Sequence, residues 1–391
     1  MDERFSLHLS PPAPVRALNA VLAPFAHTPE LSPEAMLRRA RLETGLDDLG
    51  DPTAYGRLEA LCREADSNPN LSPFGRIAVA IFYHFHIVDR LRIVDLLKRR
   101  PEIDDVPVKE PIFIVGWYRT GTTLLHNLLA ADTRHRAPRT WELISAAPLH
   151  DDPAWDRRLR MMRTQFILQL SRYLVPESAA AHYVPIDGPE ECFFLLENDF
   201  VSSTMFNTYG GYRYADWLLE QDLRPSYRFF RQQLKVLSYR HPEKRWVLKC
   251  PLHLWHLDAL LDVFPDARIV FTHRDVAEAL PSNCSLSAMT TSKFANRTSL
   301  EDIGEFWSRY YREGISRAME ARRRIPDDRC IDVPLPWISK RPVDALDAIY
   351  RHFDLGFGAE TRGELLTALR NNPKQTKGEH HYTAAQFGLS R

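Results

Sequence analysis

Residues 111–129 read PIFIVGWYRTGTTLLHNLL, and this stretch decides the fold. The apolar run Ile112–Val115 predicts a buried strand, Gly116–Gly121 predicts a tight turn, and Thr122 begins a segment with apolar residues at helical spacing. The first N–H groups of a helix have no partner within the helix, and the helix dipole places partial positive charge beside them. A strand, a turn and a helix start in this order therefore predict a phosphate-binding site.

The spacing of this turn is that of a nucleotide-binding P-loop, but the lysine of that motif is missing. Gly116 and Gly121 have the P-loop separation, whereas Thr122 and Thr123 occupy the positions of its Lys and Ser/Thr. The cation lies inside the turn instead, as Arg119. A P-loop NTPase depends on that lysine and on magnesium to offset phosphate charge. The turn therefore predicts phosphate binding without ATP hydrolysis.

Two regions with different patterns follow one another along the chain. Residues 1–105 are predicted to be mostly helical, because apolar residues recur at helical spacing. In residues 106–391, short apolar runs alternate with helix-like segments, which predicts an α/β fold with a P-loop-like parallel sheet flanked by helices. The predicted strands are Ile112–Val115, Trp246–Leu248, Arg268–Thr272 and Cys330–Val333.

A mainly helical insertion, about residues 141–240, separates the first two predicted strands. It is rich in aromatic residues, namely Phe193, Phe194, Phe200, Phe206, Tyr209, Tyr212, Tyr214 and Trp217. Two interpretations stay open at this point. The aromatic side chains form either a second hydrophobic core or the wall of a pocket for an apolar substrate.

The composition argues against several classes of partner and site. Basic and acidic residues both number 51, so a general nucleic-acid or anionic-membrane partner is not indicated. Five scattered cysteines without a CxxC pair favour a reducing compartment over a disulfide framework or a zinc ribbon. The N-terminal stretch has no apolar core of signal-peptide length, and no run approaches the roughly 18 apolar residues of a membrane span. We therefore expect a cytoplasmic protein without a transmembrane segment.

Cations follow three of the predicted strands. Arg119 follows the first, Lys249 ends the second, and Arg274 follows the third, with Ser282 eight residues beyond Arg274. Ligands of open α/β sheets bind outside the carboxyl ends of the strands. Three cations converging on a phosphate-binding turn therefore predict a nucleotide with several negative charges.

These residues together resemble the PAPS-dependent sulfotransferases, in particular a bacterial cytosolic branch that acts on lipid, polyketide or other small alcohols. PAPS is 3′-phosphoadenosine 5′-phosphosulfate. The resemblance covers about residues 106–391 and implies a sulfotransferase of EC 2.8.2 type. It implies that the first loop binds the 5′-phosphosulfate through Arg119, Thr120, Gly121, Thr122 and Thr123. Arg119 stands where a lysine is more usual in the family.

The resemblance also implies roles for residues later in the chain. Lys249 would contact the transferred sulfonate, while Arg274 and Ser282 would bind the 3′-phosphate. A basic glycine loop near the C-terminus would close over the nucleotide, with Lys377 and Gly378 as the contacts. Sulfonate transfer passes in line to an acceptor hydroxyl and leaves adenosine 3′,5′-bisphosphate. Such chemistry needs positioning, fixed positive charge and a base, and the sequence offers no dedicated carboxylate pair for a metal.

The base that removes the acceptor proton has several candidates. Glu142 follows the first helix at about the interval at which some sulfotransferases place a catalytic glutamate. His253 lies four residues after Lys249, whereas the cytosolic small-molecule enzymes carry a histidine two residues after the lysine. Glu190 and Glu191 resemble a glutamate motif of the bacterial branch and are expected to line the acceptor pocket. We rank Glu142 first and His253 second.

The leading hypothesis is thus sulfonate transfer from PAPS to a hydroxyl of a small, hydrophobic acceptor of lipid, polyketide, quinone, sterol or phenol type. A P-loop kinase or NTPase is an alternative, although the strand-end residues are basic where it would need a magnesium carboxylate. A non-catalytic nucleotide-binding relative is a third alternative. The acceptor's identity, the role of the N-terminal helices and the oligomeric state, with a homodimer among the alternatives, stay open.

Overall fold

The structure is a computed structural model that describes residues 9–174, 185–239, 244–371 and 382–389. Helices precede the sheet, and serine caps set where two of them begin. Ser32 Oγ accepts a hydrogen bond from the Ala35 N–H at 3.2 Å, and Ser72 caps its helix in the same way, each directly before a proline. These helices are α1 (Ala13–Leu22), α2 (Pro33–Thr44), α3 (Pro52–Ser67) and α4 (Pro73–Arg99).

The described sheet has five parallel strands in the order β2-β3-β1-β4-β5. They are β1 (Ile112–Gly116), β2 (His135–Arg136), β3 (Arg245–Lys249), β4 (Arg268–His273) and β5 (Cys330–Pro334). The central strand β1 has β3 on one side and β4 on the other. The strand order therefore reverses at β1, and the carboxyl end of β1 is where such a sheet binds its ligand.

Helices connect the strands and cover the sheet. The first is α5 (Thr122–Leu129), which follows β1 directly. The insertion between β2 and β3 holds α6 (Thr140–Ile144), α7 (Pro153–Leu174), α8 (Phe193–Glu197), α9 (Ser203–Asn207), α10 (Tyr212–Leu219) and α11 (Arg224–Ser238). The later helices are α12 (Leu257–Val263), α13 (Val276–Thr291), α14 (Leu300–Arg322), α15 (Leu335–Lys340), α16 (Pro342–His352) and α17 (Ala359–Asn371).

Strand β1 directs alternate side chains to the two faces of the sheet. Ile112 and Ile114 pack among residues of α5, α16 and α17. Phe113 and Val115 join a larger cluster that includes the N-terminal helices and the insertion. All four are fully buried, which explains why the strand reads as a continuous apolar run.

The N-terminal helices share this larger core and are tied to the insertion by a buried ion cluster. Asp199 follows α8 and is 0% exposed. Its carboxylate pairs with Arg57 of α3 at 2.6 Å and also with Arg90 of α4. A buried charge needs such partners because desolvation is costly. The helices of residues 9–105 are therefore continuous in packing with the sheet layer.

The aromatic residues of the insertion are mostly core residues. Phe200, Phe206 and Tyr214 are almost fully buried in the large cluster, while Phe193, Phe194, Tyr212 and Trp217 pack against it. The core interpretation is therefore the better one for these side chains. The core is not a second one, because it is continuous with the cluster beneath β1.

The predicted fold class and its four strands are confirmed, each strand within two residues of its predicted bounds. The edge strand β2 was not predicted, because a His-Arg pair carries no apolar signal. None of the described helices combines the length and the apolar character that crossing a membrane requires.

Candidate active site

The two glycines of the turn after β1 lie where neighbouring side chains leave no room for a Cβ. A Cβ on Gly116 would lie 2.0 Å from Thr272 Oγ1 of β4, so only glycine fits there. Gly121 has φ +87° and directly precedes α5, and a Cβ there would meet Leu335 at 2.7 Å. No side chain caps the start of α5. Its first N–H groups are therefore left for a ligand.

The side chains of the turn divide between bracing the loop and facing its mouth. Thr120 Oγ1 donates to the Trp117 carbonyl at 2.6 Å and contacts Thr272 Oγ1 at 2.7 Å. The Thr120 hydroxyl therefore braces the turn, and only its backbone amide is left for a ligand. Thr122 is buried and Thr123 is exposed at the first turn of α5. Arg119 adopts φ +67°, a conformation that costs a non-glycine residue energy and recurs at functional sites.

Three of the predicted nucleotide-binding residues come together beside this turn. Arg119 Nε donates to Ser282 Oγ of α13 at 3.2 Å. Arg274, which follows β4, donates from Nη1 to the Arg119 carbonyl at 3.1 Å. Arg274 also forms an exposed pair with Glu278 at 3.1 Å. The turn and the segment after β4 therefore place two guanidinium groups and a hydroxyl at one site.

The charge of Arg119 has no carboxylate paired with it among the described residues. Burial lowers the pKa of Arg119, Tyr382 acts to raise it, and the positive charge of Arg274 lowers it further. A partly buried cation of this kind is stabilised by an anionic ligand. Tyr382 precedes a C-terminal turn, Ala384–Phe387, that packs on α14 and α13. The predicted contacts Lys377 and Gly378 lie outside the described residues.

Lys249 lies at the carboxyl end of β3 and is 1% exposed. Its ammonium forms an ion pair with Glu191, whose side chain is 19% exposed. The Cys192 N–H donates to the Lys249 carbonyl at 3.0 Å, which fixes the acidic segment against the strand end. The predicted sulfonate contact and one predicted pocket residue are therefore direct partners.

A second segment brings Glu142 to the same end of the sheet. Arg139 forms an antiparallel bridge with Pro189, and the Glu190 N–H donates to the Pro138 carbonyl at 3.0 Å. Residues 138–142 and 185–191 therefore lie side by side next to Lys249. The Glu190 carboxylate turns back and accepts from the Glu191 N–H at 2.7 Å.

The Glu142 carboxylate is buried, and both of its oxygens are engaged. Oε1 accepts from Arg136 Nη2 at 2.6 Å, and Oε2 accepts from the Arg139 N–H at 2.9 Å, as the N-terminal capping box of α6. Arg136 also lies 4.8 Å from the centroid of the Trp246 ring. To act as a base, Glu142 would have to exchange one of these partners for the acceptor hydroxyl.

His253 lies beneath the site rather than in it. It is 0% exposed, with Nδ1 2.8 Å from the Tyr227 hydroxyl and Nε2 3.3 Å from Cys192 Sγ. Burial lowers its pKa to about 3, so the ring is neutral at ordinary pH. This geometry does not support the prediction of His253 as a base, because both ring nitrogens have protein partners and the ring has no exposed face.

Sequence reasoning missed two residues that shape the site. Thr272 holds the turn through Thr120, and Arg136 holds Glu142. Neither lies in a recognisable motif, although Thr272 ends a predicted strand whose next residues were singled out. Among the described residues, no group of His, Cys, Asp and Glu side chains is arranged to hold a metal ion.

Comparison with known proteins gives a consistent result. A family model described as "Sulfotransferase family" matches residues 111–358. The crystal structure of sulfotransferase STF1 from Mycobacterium tuberculosis is 31% identical, with 91% of this chain and 95% of that chain covered and a TM-score of 0.78. The crystal structure of sulfotransferase STF9 from Mycobacterium avium has a sequence 28% identical to this chain. The match covers 93% of this chain and 94% of that chain, with a TM-score of 0.82.

A curated relative is also similar in sequence. The omega-hydroxy-beta-dihydromenaquinone-9 sulfotransferase Stf3 of Mycobacterium bovis is 26% identical over 261 residues. The match covers 63% of this chain and 63% of that protein. The chain therefore spans less than two thirds of the length of the curated relatives it matches.

Proposed function

This chain belongs to the sulfotransferase family, as its sequence predicted, and from that premise we propose that it transfers the sulfonate of PAPS to a hydroxyl of a hydrophobic acceptor. One observation carries the choice of donor. Arg119, Arg274 and Ser282 lie together at the start of α5, and no described carboxylate neutralises Arg119. A site with this charge and these hydroxyl and guanidinium groups fits a nucleotide with phosphates at both ends of its ribose.

The donor would be held at two points. Arg119 and the backbone amides of Thr120, Gly121, Thr122 and Thr123 would bind the 5′-phosphosulfate, with the Thr123 hydroxyl exposed beside them. Arg274 and Ser282 would bind the 3′-phosphate through a charged fork and a hydroxyl. Lys377 and Gly378 remain proposed contacts on the family resemblance alone. Fixed donors of this kind need no reorganisation during the reaction, which is why they lower its barrier.

Lys249 would supply the charge that the transferring group needs. In this structure Glu191 pairs with Lys249. A bound sulfonate would compete with Glu191 for the same ammonium. As the reaction proceeds, that ammonium would stabilise the negative charge that develops on the leaving phosphate oxygen. The acceptor oxygen bonds to sulfur as the bond from sulfur to that phosphate oxygen breaks.

Glu142 is our proposed base for the acceptor proton, and Glu190 and Glu191 are the proposed pocket residues. The support is positional, because residues 138–142 and 185–191 lie side by side at the end of β3. Arg136 would hold the Glu142 carboxylate until the acceptor hydroxyl replaces one of its hydrogen bonds. A positioned base typically contributes about 10²–10⁴-fold to a rate.

The acceptor is proposed to be a hydrophobic alcohol. The support is the relative from Mycobacterium bovis, whose printed substrate is an omega-hydroxylated dihydromenaquinone. We therefore expect a hydroxyl at the end or edge of an apolar skeleton rather than a sugar or a protein side chain.

Thermal unfolding with nucleotides tests the donor site. Adenosine 3′,5′-bisphosphate should stabilise the protein equally with magnesium and with EDTA, by roughly 2.7 kcal/mol at 100 times its dissociation constant. Stabilisation by ATP that disappears in EDTA would replace this proposal with the kinase or NTPase alternative. Transfer of labelled sulfonate from PAPS to an omega-hydroxylated polyprenyl quinone then tests the activity, and binding without transfer to any hydroxylated lipid would favour the non-catalytic alternative.

A further inference from the structure

Helix α7 carries a row of large apolar side chains on its solvent side, which we call the α7 stripe. Its members are Trp155, Leu159, Met162, Phe166, Leu170 and Tyr173. They are 37% to 72% exposed. Since an α-helix turns once in 3.6 residues, the six side chains fall within an arc of about 80°. Exposed apolar residues are usually scattered, and a continuous row of this kind marks an interaction surface.

The opposite side of α7 packs on the protein, and the fully buried residues on it are polar. Asp156, Arg160 and Thr164 are buried, and Asp156 pairs with Arg160 at 3.1 Å. Arg160 also donates to the Glu142 carbonyl at 3.3 Å and lies 4.7 Å from the centroid of the Trp141 ring. A surface helix normally buries its apolar residues, whereas α7 buries polar ones fully and leaves its largest apolar row exposed. Among the described residues, the apolar face of α7 is therefore exposed and open to a partner.

The charge around the stripe indicates what that partner is. The 22 residues of α7, all described, include five arginines and one acidic residue, the buried Asp156. Arg157 pairs with Asp187 and Arg160 with Asp156. Arg158 flanks one side of the stripe, and Arg163 flanks the other. Arg158 lies 5.3 Å from the ring centroid of Trp155, and Arg163 lies 4.7 Å from that of Phe85 on α4. The partner must therefore accept apolar side chains and carry negative charge around them.

We propose that the α7 stripe binds the surface of a lipid bilayer that contains anionic lipids. A helix with a Trp, Phe and Leu face bordered by arginines lies in the interface of such a bilayer, with its apolar face inserted and its cations at the headgroups. Trp155 and Tyr173 stand at the two ends of the stripe, and both residue types favour the interface. A second copy of the chain fits less well, because pairing two stripes would bring arginines together. The chain's zero net charge does not reveal this surface, because the arginines are concentrated locally.

Co-sedimentation with lipid vesicles tests this surface, and the proposal rests on the surface alone, not on the proposed enzymatic activity. The full chain is mixed with vesicles of phosphatidylcholine, or of phosphatidylcholine with 30% phosphatidylglycerol. Met162→Ser is compared with Met319→Ser of α14, because the two methionines are 59% and 57% exposed. We expect the unaltered chain and Met319→Ser to bind the anionic vesicles and Met162→Ser to bind them more weakly. Met162→Ser combined with Phe166→Ser should weaken that binding at least tenfold, with an unchanged melting temperature.

The charge requirement has its own variant and its own salt test. Arg158→Gln should weaken binding to the anionic vesicles, and raised salt should weaken binding of the unaltered chain. Equal binding to both vesicle types would overturn the anionic part of the proposal. No binding to either, or equal binding of the Met162→Ser and Met319→Ser variants, would overturn it altogether. The stripe would be assigned to a second copy instead if the chain did not bind vesicles but formed a concentration-dependent dimer. Met162→Ser should then dissociate that dimer.

Discussion

The ammonium of Lys249 is paired with the carboxylate of Glu191 at the carboxyl end of β3, 58 residues away in the chain. This pair places a removable counter-charge on the residue proposed to contact the sulfonate. Under the proposed function, a bound sulfonate would compete with Glu191 for this ammonium. The pair also gives a lysine that is 1% exposed the partner that a buried ammonium requires.

Loss of the Lys249 ammonium should stop turnover while nucleotide binding survives. We expect Lys249→Ala to lower kcat about 10²–10³-fold, because one fixed charge at the transferring group is removed. Labelled sulfonate transfer measures the rate, and thermal shift with adenosine 3′,5′-bisphosphate measures binding. Lys235→Ala is a matched control, since Lys235 of α11 pairs with Asp104 away from the site. A variant that retains full turnover would remove Lys249 from the mechanism.

Binding of the 3′-phosphate should depend on Arg274 and Ser282. We expect Arg274→Ala to weaken the binding of adenosine 3′,5′-bisphosphate about 10–100-fold, since a charge-assisted hydrogen bond contributes about 1.5–3 kcal/mol. The affinity for adenosine 5′-phosphate should change little, because this nucleotide lacks the 3′-phosphate. Titration calorimetry with the two nucleotides measures the difference, with Arg309→Ala, an exposed partner of Asp216, as control. Equal losses for both nucleotides would contradict the assignment.

Glu142 and Glu191 make different predictions for the rate. We expect Glu142→Gln to lower kcat about 10²–10⁴-fold with unchanged nucleotide affinity, as removal of a base does. Glu191→Gln should leave the base in place and raise the affinity for PAPS, which carries the sulfonate, but not for adenosine 3′,5′-bisphosphate, because a competitor of the sulfonate for Lys249 is lost. Steady-state kinetics and calorimetry on both variants separate these effects. If the larger rate loss belonged to Glu191→Gln, that residue would be the base.

The buried cluster of Asp199, Arg57 and Arg90 should matter for stability more than any surface pair. Asp199→Ala leaves two buried guanidinium groups without their carboxylate, which costs about 3–5 kcal/mol. The control is Asp216→Ala, which breaks an exposed pair with Arg309 and should cost less than about 1 kcal/mol. Urea unfolding of both variants measures the two free energies of unfolding. Similar costs would mean that the cluster does not tie the helices to the insertion.

Acid should destabilise the fold through buried histidines. Burial lowers the pKa of five of them, namely His135, His86 (to about 4), and His126, His253 and His256 (to about 3). Each is neutral in the fold but gains a proton when unfolded below about pH 6.5. The contribution of each neutral histidine to the free energy of unfolding is therefore complete above pH 6.5. It is lost as the pH falls from there toward 4 or 3, by up to about 1.4 kcal/mol per pH unit.

Three buried carboxyls oppose this trend but are outnumbered. Burial raises the pKa of Glu197 to about 7, that of Asp89 to about 6 and also that of Glu64, so these groups hold protons in the fold that the unfolded chain releases. We therefore expect the free energy of unfolding to fall between pH 7 and pH 5. Urea unfolding across that range checks the sign, and His253→Asn should reduce the slope by one group's share. A free energy that rises on acidification would contradict the neutral-histidine assignment.

Much of the fold was predictable because its signals are local. Ile112–Val115 is apolar throughout, since both faces of the central strand are covered, and Gly116 and Gly121 mark the turn by spacing alone. The cations at strand ends were predictable from the rule that parallel strands deliver their carboxyl ends to one edge. The two-residue strand β2 was not, because it has too few residues for a period.

The remaining features depend on contacts between distant residues. His253 looked available as a base because it follows Lys249, yet the fold encloses it between Tyr227 and Cys192. The pairing of Glu142 with Arg136 was hidden in the same way, since an arginine in a short polar strand has no sequence signature. Burial and pairing are tertiary properties, so residue spacing alone cannot predict which candidate is free to react.

The ion cluster around Asp199 also sets an order of events during synthesis. Arg57 and Arg90 precede Asp199 by 142 and 109 residues. At about 5–20 residues per second, the ribosome makes the two arginines roughly 5–30 s before the carboxylate that neutralises them. The first helices therefore emerge from the exit tunnel without the charge or the apolar surface they will pack against. The N-terminal helices therefore cannot complete their packing before the rest of the chain is made. They and the sheet domain complete one core together.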